Sequence, residues 1–155
     1  GADRFLQFIE TELDPWIRQR YAVDDEPAGL LGDSFGGTFV AHCLVRESKV
    51  FNRYWLGSPG LFSTPADLTG RLIDSLAALP TGKTKLFLTL GELEVSGGVS
   101  FYQDMGANFS RVVAGLQALP AGAVDWQHRI YPGHTHTSVF LPAINDAMLF
   151  LFGKG

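Results

Sequence analysis

Residues 30–42, LLGDSFGGTFVAH, decide how the rest of the chain is read. Two leucines run into Gly32-Asp33-Ser34-Phe35-Gly36, and from Thr38 to Val45 the apolar residues recur at helical spacing. A short apolar run that stops at glycine reads as a buried strand, so the segment is strand, tight turn, helix, with a serine at the turn. In that context G-x-S-x-G places the serine on a sharp, strained turn, and the small neighbours at −2 and +2 avoid a clash. The helix after the turn aims its free N–H groups and the positive end of its dipole back at it. The Phe35 N–H would then donate to an oxyanion formed beside Ser34. Ser34 is read as a nucleophile rather than a small turn residue.

The same unit recurs outward from this turn. Short apolar runs at 27–32 (PAGLLG), 53–59 (RYWLGSP), 85–91 (KLFLTLG) and 124–133 (VDWQHRIYPG) read as strands. Residues 67–79, 101–119 and 138–152 read as helices, the first two stopped by Pro80 and Pro120. KLFLTLG is apolar throughout, the pattern of a strand covered on both faces. Ahead of them, 3–21 is an amphipathic helix with Phe5, Phe8 or Ile9, Leu13, Trp16 or Ile17, and Tyr21 on one face, and Pro15 should end or restart it. Strand–helix alternation predicts an α/β fold: a three-layer α/β/α sandwich around a parallel sheet of about four strands. Ligands bind such sheets beyond the carboxyl ends of the strands, and here those ends run into polar or glycine-rich loops.

Composition narrows the function classes. A chain of 155 residues, 46% hydrophobic and 18% charged, has the length and apolar content of one globular domain, read as spanning 1–155. A net charge of −4 with no Lys/Arg cluster argues against nucleic acid as a partner. No apolar run approaches the ~20 residues of a membrane helix, and no leader pattern opens the chain. Cys43 is the only cysteine, which excludes an internal disulfide and a cysteine-based metal site and leaves cytoplasm and periplasm both open.

A serine nucleophile on this fold needs an acid and then a histidine, each on a later loop at the same sheet edge. After KLFLTL come Gly91-Glu92-Leu93-Glu94, and after the last strand come His134 and His136. Order and edge both fit, with either glutamate and either histidine available. An H-x-H metal pair is disfavoured because no third ligand stands at a convincing spacing. No metal or other cofactor is implied.

The blocks LLGDSFGGTFVAHCLVRESKVFNRYWLGSPGLF, LFLTLGELE and YPGHTHTSVFLPAINDAMLFLF resemble the putative-esterase family of α/β-hydrolases, and most of all its siderophore (enterobactin-type) esterase-like branch. The resemblance implies a serine esterase cleaving carboxylic esters of small molecules through an acyl-enzyme. It puts the nucleophile on Ser34, the acid on Glu94 with Glu92 as the fallback, and the base on His136. Asp33 stands where such hydrolases often carry histidine, and a carboxylate there would disfavour anionic substrates close by. SPGLFS, residues 58–63, replaces a common SPSLWW pattern, so Ser58 and Phe62 are expected to line the substrate pocket. Only Arg53 and Arg111 could offer positive charge to an anionic substrate.

The family fold carries about four strands ahead of the nucleophile, including the one whose loop gives the second oxyanion donor. Residues 1–26 hold no replacement, so the chain reads as the nucleophile-containing part of a truncated α/β-hydrolase fold. Loss of one oxyanion donor lowers turnover by about 10²–10³. The first strand would be left with an open edge, from which self-association, as a homodimer or larger homo-oligomer, is expected. The alternative reading is a catalytically impaired module serving in assembly or binding.

Overall fold

The computed structural model describes residues 1–153. The reading of 1–155 as one domain therefore extends two residues beyond them. Helix α1 (Ala2–Phe8) passes through a π-helical segment (Ile9–Leu13) into α2 (Asp14–Arg20). Four strand–helix units come next: β1 (Ala28–Asp33) and α3 (Phe35–Val45); β2 (Phe51–Gly57) and α4 (Leu68–Ala78); β3 (Lys85–Gly91) with the short α5 (Glu92–Ser96) and α6 (Ser100–Gln117); β4 (Asp125–Tyr131) and α7 (Phe140–Phe152).

The sheet is fully parallel, in the order β1-β2-β3-β4. Sequential neighbours joined by helical crossovers give this order directly. β3 is buried along all but its first residue, as its unbroken apolar run requires, whereas β4 at the edge is mostly exposed. One face packs Leu56, Leu86, Leu88 and Leu90 against α3, α4 and α6, through Val40, Leu44, Leu72, Leu76, Phe109 and Val112. The other face packs Trp55, Phe87 and Tyr131 against Ala143, Ala147 and Leu151 of α7. These are the three layers expected, with α7 alone on the second face.

The first helix keeps its expected face only in part, with Ile9 and Leu13 packed against the core. Leu6 and Ile9 are buried there, while Phe5, Phe8, Trp16 and Tyr21 stay exposed. Pro15 restarts the helix rather than ending it: it falls in the first turn of α2, where a missing N–H is tolerated. The π-segment just before it adds a residue to the turn and rotates α2 relative to α1.

Candidate active site

The turn between β1 and α3 has the strained geometry that the sequence predicts. Ser34 sits at φ 58°, ψ −121°, outside the regions a side chain normally allows. Its N–H donates to Gly57 O at 2.8 Å, and its carbonyl accepts from Thr38 N at 3.1 Å and Gly60 N at 3.2 Å. The strain is thus held from the tip of β2 and from the loop beyond it. A Cβ on Gly32 would lie 2.3 Å from Gly36 O, so glycine at −2 is dictated by the backbone packed against it. At +2 the expectation of a steric need is corrected: a Cβ on Gly36 meets nothing within 4 Å. The crowding falls one residue later, on Gly37, whose Cβ would lie 2.9 Å from Gly57 O.

The turn after β1, the short helix after β3 and the loop after β4, all at the carboxyl edge of the sheet, bring Ser34, Glu94 and His136 together. His136 Nε2 is 2.9 Å from Ser34 Oγ, and its Nδ1 is 2.7 Å from Glu94 Oε2. The carboxylate oxygen accepts, which places the proton on Nδ1 and leaves Nε2 free to accept from the serine hydroxyl. Glu94 is 2% exposed. Such a burial is tolerable only when donors replace water. Its Oε1 accepts from Ser58 Oγ and from Gly91 N, both at 2.7 Å, so three donors hold the carboxylate. The bond to Gly91 N is half of a capping arrangement, with Glu94 in the first turn of α5 reaching back to the residue ahead of the helix. The segment read as a loop is this short helix, and the helix is what aims the acid.

Each remaining candidate finds a place. Glu92 is exposed, and its Oε2 accepts from Gly133 N at 2.8 Å, tying α5 to the histidine loop. His134 is engaged within its own loop: its Nδ1 bonds Ser138 O at 3.0 Å, and its ring meets Tyr131 edge-on. A Cβ on Gly91 would stand 2.5 Å from His134 O, so glycine there lets the histidine loop close onto β3. Ser58, expected in the substrate pocket, is fully buried and committed to Glu94. It props the acid from behind, a role that the sequence does not signal. Phe62 is half-buried, with its ring 4.4 Å from that of Phe101.

Phe35 is the first residue of α3, so its N–H has no intrahelical acceptor and stays available next to Ser34. Asp33 keeps Oδ1 buried without a hydrogen-bond partner. Burial pushes its carboxyl up to about 6, with His136 lowering it and Glu94 raising it in smaller measure. Neither arginine turns toward the site. Arg53, at the amino end of β2, donates to Pro27 O at 3.2 Å, and Arg111 donates to Asn108 Oδ1 at 2.8 Å. Among the described residues no group of His, Cys, Asp and Glu is arranged to hold a metal ion. No helix among them is long and apolar enough to cross a membrane.

The fold and this edge define an α/β-hydrolase architecture. The family model described as putative esterase matches residues 1–109, and the chain belongs to that family. Ferri-bacillibactin esterase BesA of Bacillus subtilis is 28% identical over 153 residues, covering 97% of this chain and 51% of its own. The apo-salmochelin esterase of Escherichia coli is 26% identical, covering 99% of this chain and 47% of its own. A solved IroE-like serine hydrolase from Shewanella oneidensis superposes with a TM-score of 0.77 at 29% identity, over 97% of this chain and 48% of that one. The chain spans about half the length of the curated relatives it matches.

Proposed function

We propose that this chain carries the nucleophile, base and acid of a serine esterase that hydrolyses carboxylic esters of small molecules. The observation that supports it most is the unbroken line from Ser34 Oγ through His136 to Glu94, at 2.9 and 2.7 Å. In this reading His136 Nε2 takes the Ser34 proton as Oγ adds to the ester carbonyl. The Phe35 N–H, at the positive end of α3, holds the oxyanion. Glu94 keeps the imidazole in its tautomer and stabilises the imidazolium. Collapse breaks the bond to the alkoxy group, which leaves as an alcohol with the proton from His136. Water, deprotonated by the same nitrogen, then frees the acid and restores Ser34.

Siderophore esters are the substrate class that the relatives' names suggest. The carboxyl groups of Asp33, Glu92 and Glu94 at this edge, with Arg53 and Arg111 engaged elsewhere, favour a metal-free siderophore over its more anionic ferric form. The test is hydrolysis of p-nitrophenyl butyrate and of a catecholate trilactone, with and without iron, by the wild type and by Ser34→Ala. Turnover of both esters, faster without iron and absent from Ser34→Ala, is expected. Equal turnover by Ser34→Ala would overturn the assignment.

The same proposal includes a homodimer. β1 lies at the sheet edge, the Phe152 ring lies against Gly29 on it, and Leu141, Met148, Leu149 and Phe152 of α7 are exposed. Apolar side chains exposed along one helix fit a second copy of the same surface. Light scattering is expected to give twice the chain mass, and a monomer at all concentrations contradicts it.

A further inference from the structure

An aromatic line runs from the β2–α4 loop to the imidazole. The Phe62 ring lies 4.4 Å from Phe101, Phe101 lies 5.3 Å from Tyr102 edge-on, and Tyr102 lies 5.5 Å from His136. Phe101 is 50% exposed although it stands beside the site. Phe62 belongs to a loop, whereas Phe101 and Tyr102 belong to the first turn of α6, so the line exists only while loop and helix stay together.

A polar latch holds them. Ser63, next to Phe62, donates its N–H to Asp104 Oδ2 at 2.7 Å and its hydroxyl to Asp104 Oδ1 at 2.5 Å. Asn108, one turn along α6 and buried, donates to Ser63 Oγ at 3.2 Å and to the Asp104 carbonyl at 3.1 Å. Arg111, holding Asn108 Oδ1, reaches Asp67 Oδ1 at 3.6 Å. Asp67 in turn accepts from Gly70 N at 3.1 Å and caps α4. The loop is therefore fastened to α6 at both ends. The hydroxyl and then the N–H of Ser63 hold the Asp104 carboxyl below its ordinary range, so the latch stays charged at neutral pH.

We propose that Phe62, Phe101 and Tyr102 form the wall of a subsite for a flat apolar group on the ester, and that Asp104 is the residue that positions this wall. Neither Asp104 nor Ser63 touches Ser34, His136 or Glu94, so the latch acts on substrate fit and not on proton transfer. The proposal rests on the esterase reading for its kinetic arm only.

Two arms test it. In the first, Asp104→Ala raises KM for p-nitrophenyl 3-phenylpropanoate about tenfold, while kcat and the kinetics on p-nitrophenyl acetate hold. Asp104→Asn, which keeps an acceptor for Ser63, recovers part of the loss, and Phe101→Ala reproduces it. In the second arm, Ser34→Ala binds 3-phenylpropanamide about tenfold more tightly than acetamide, and adding Asp104→Ala removes the difference. Equal affinity for the two amides, or an equal loss on both esters in Asp104→Ala, overturns the proposal. A protein that shows the amide preference but cleaves neither ester refutes the esterase reading and leaves the subsite standing.

Discussion

Two carboxyl groups act on the His136 imidazole, Glu94 from the end of β3 and Asp33 from the end of β1, and the fold treats them in opposite ways. Glu94 is the more deeply buried, yet each of its oxygens is engaged, by Ser58 and Gly91 on one side and His136 on the other. Asp33 is less buried, yet one oxygen has no partner and its carboxyl is raised to about 6. Burial alone does not determine what a carboxyl group does; the donors that meet it do. A satisfied carboxylate can orient a histidine permanently. An unsatisfied one burdens the fold once it ionises, a local weakness tolerated beside Ser34.

The sharpest way to break this contrast is to exchange charge for an amide at each position. Glu94→Gln leaves Nδ1 facing an amide and lets the imidazole turn, and kcat is expected to fall roughly 10³–10⁴-fold with the fold intact. Asp33→Asn, one residue from Ser34 but outside the proposed Ser34–His136–Glu94 line, is expected to change kcat less than about tenfold. A comparable loss from both would erase the distinction between the two carboxyl groups.

Next in size is the turn itself. Gly32→Ala drives a Cβ into Gly36 O and is expected to cost about 3 kcal/mol or more, read as a fall in the denaturation midpoint. Gly36→Ala meets open space on a helix and is expected to gain about 0.5 kcal/mol.

A smaller effect separates the carboxyl groups by pH. Asp33 has its folded pKa raised to about 6 from 3.8, so the folded state holds its proton more tightly than the unfolded chain. Stability therefore falls as pH rises from about 4 to about 6 and stays lowered above that. Asp33→Asn removes the penalty. Its stability should exceed that of the wild type by about 1 kcal/mol at pH 7, after allowance for partial solvation, and by nothing near pH 3. A difference independent of pH would contradict the assignment. Smallest of all, Glu92→Gln and His134→Ala are expected to keep kcat within about threefold, because both serve only the loop between β4 and α7.

These residues also show how much of the site is legible in the sequence. The turn at Ser34 is, because strand, apex and helix are contiguous and the −2 glycine is forced by backbone a few residues away. The parallel sheet is too, through four apolar runs separated by helices. Glu94 and His136 can be singled out from Glu92 and His134 only by family resemblance. Two residues apart, each pair differs in direction alone, and direction is set by the turn of α5 and by the closure of the histidine loop on Gly91. The role of Ser58 is hidden because its partner is far along the chain and its burial depends on β2 and β3 ending side by side. The stripe on the first helix is legible only in part: Ile9 is buried as counted, but Leu6, off the counted face, is buried while Phe5 and Phe8 are exposed.

The most direct measurement is intact mass after treatment with a fluorophosphonate, on the wild type and on Ser34→Ala, His136→Ala and His134→Ala. A single adduct on the wild type and on His134→Ala, absent from Ser34→Ala and His136→Ala, is the predicted result. A folded wild type that takes no adduct, or an adduct that persists in Ser34→Ala, would contradict the claim that Ser34 is a nucleophile driven by His136.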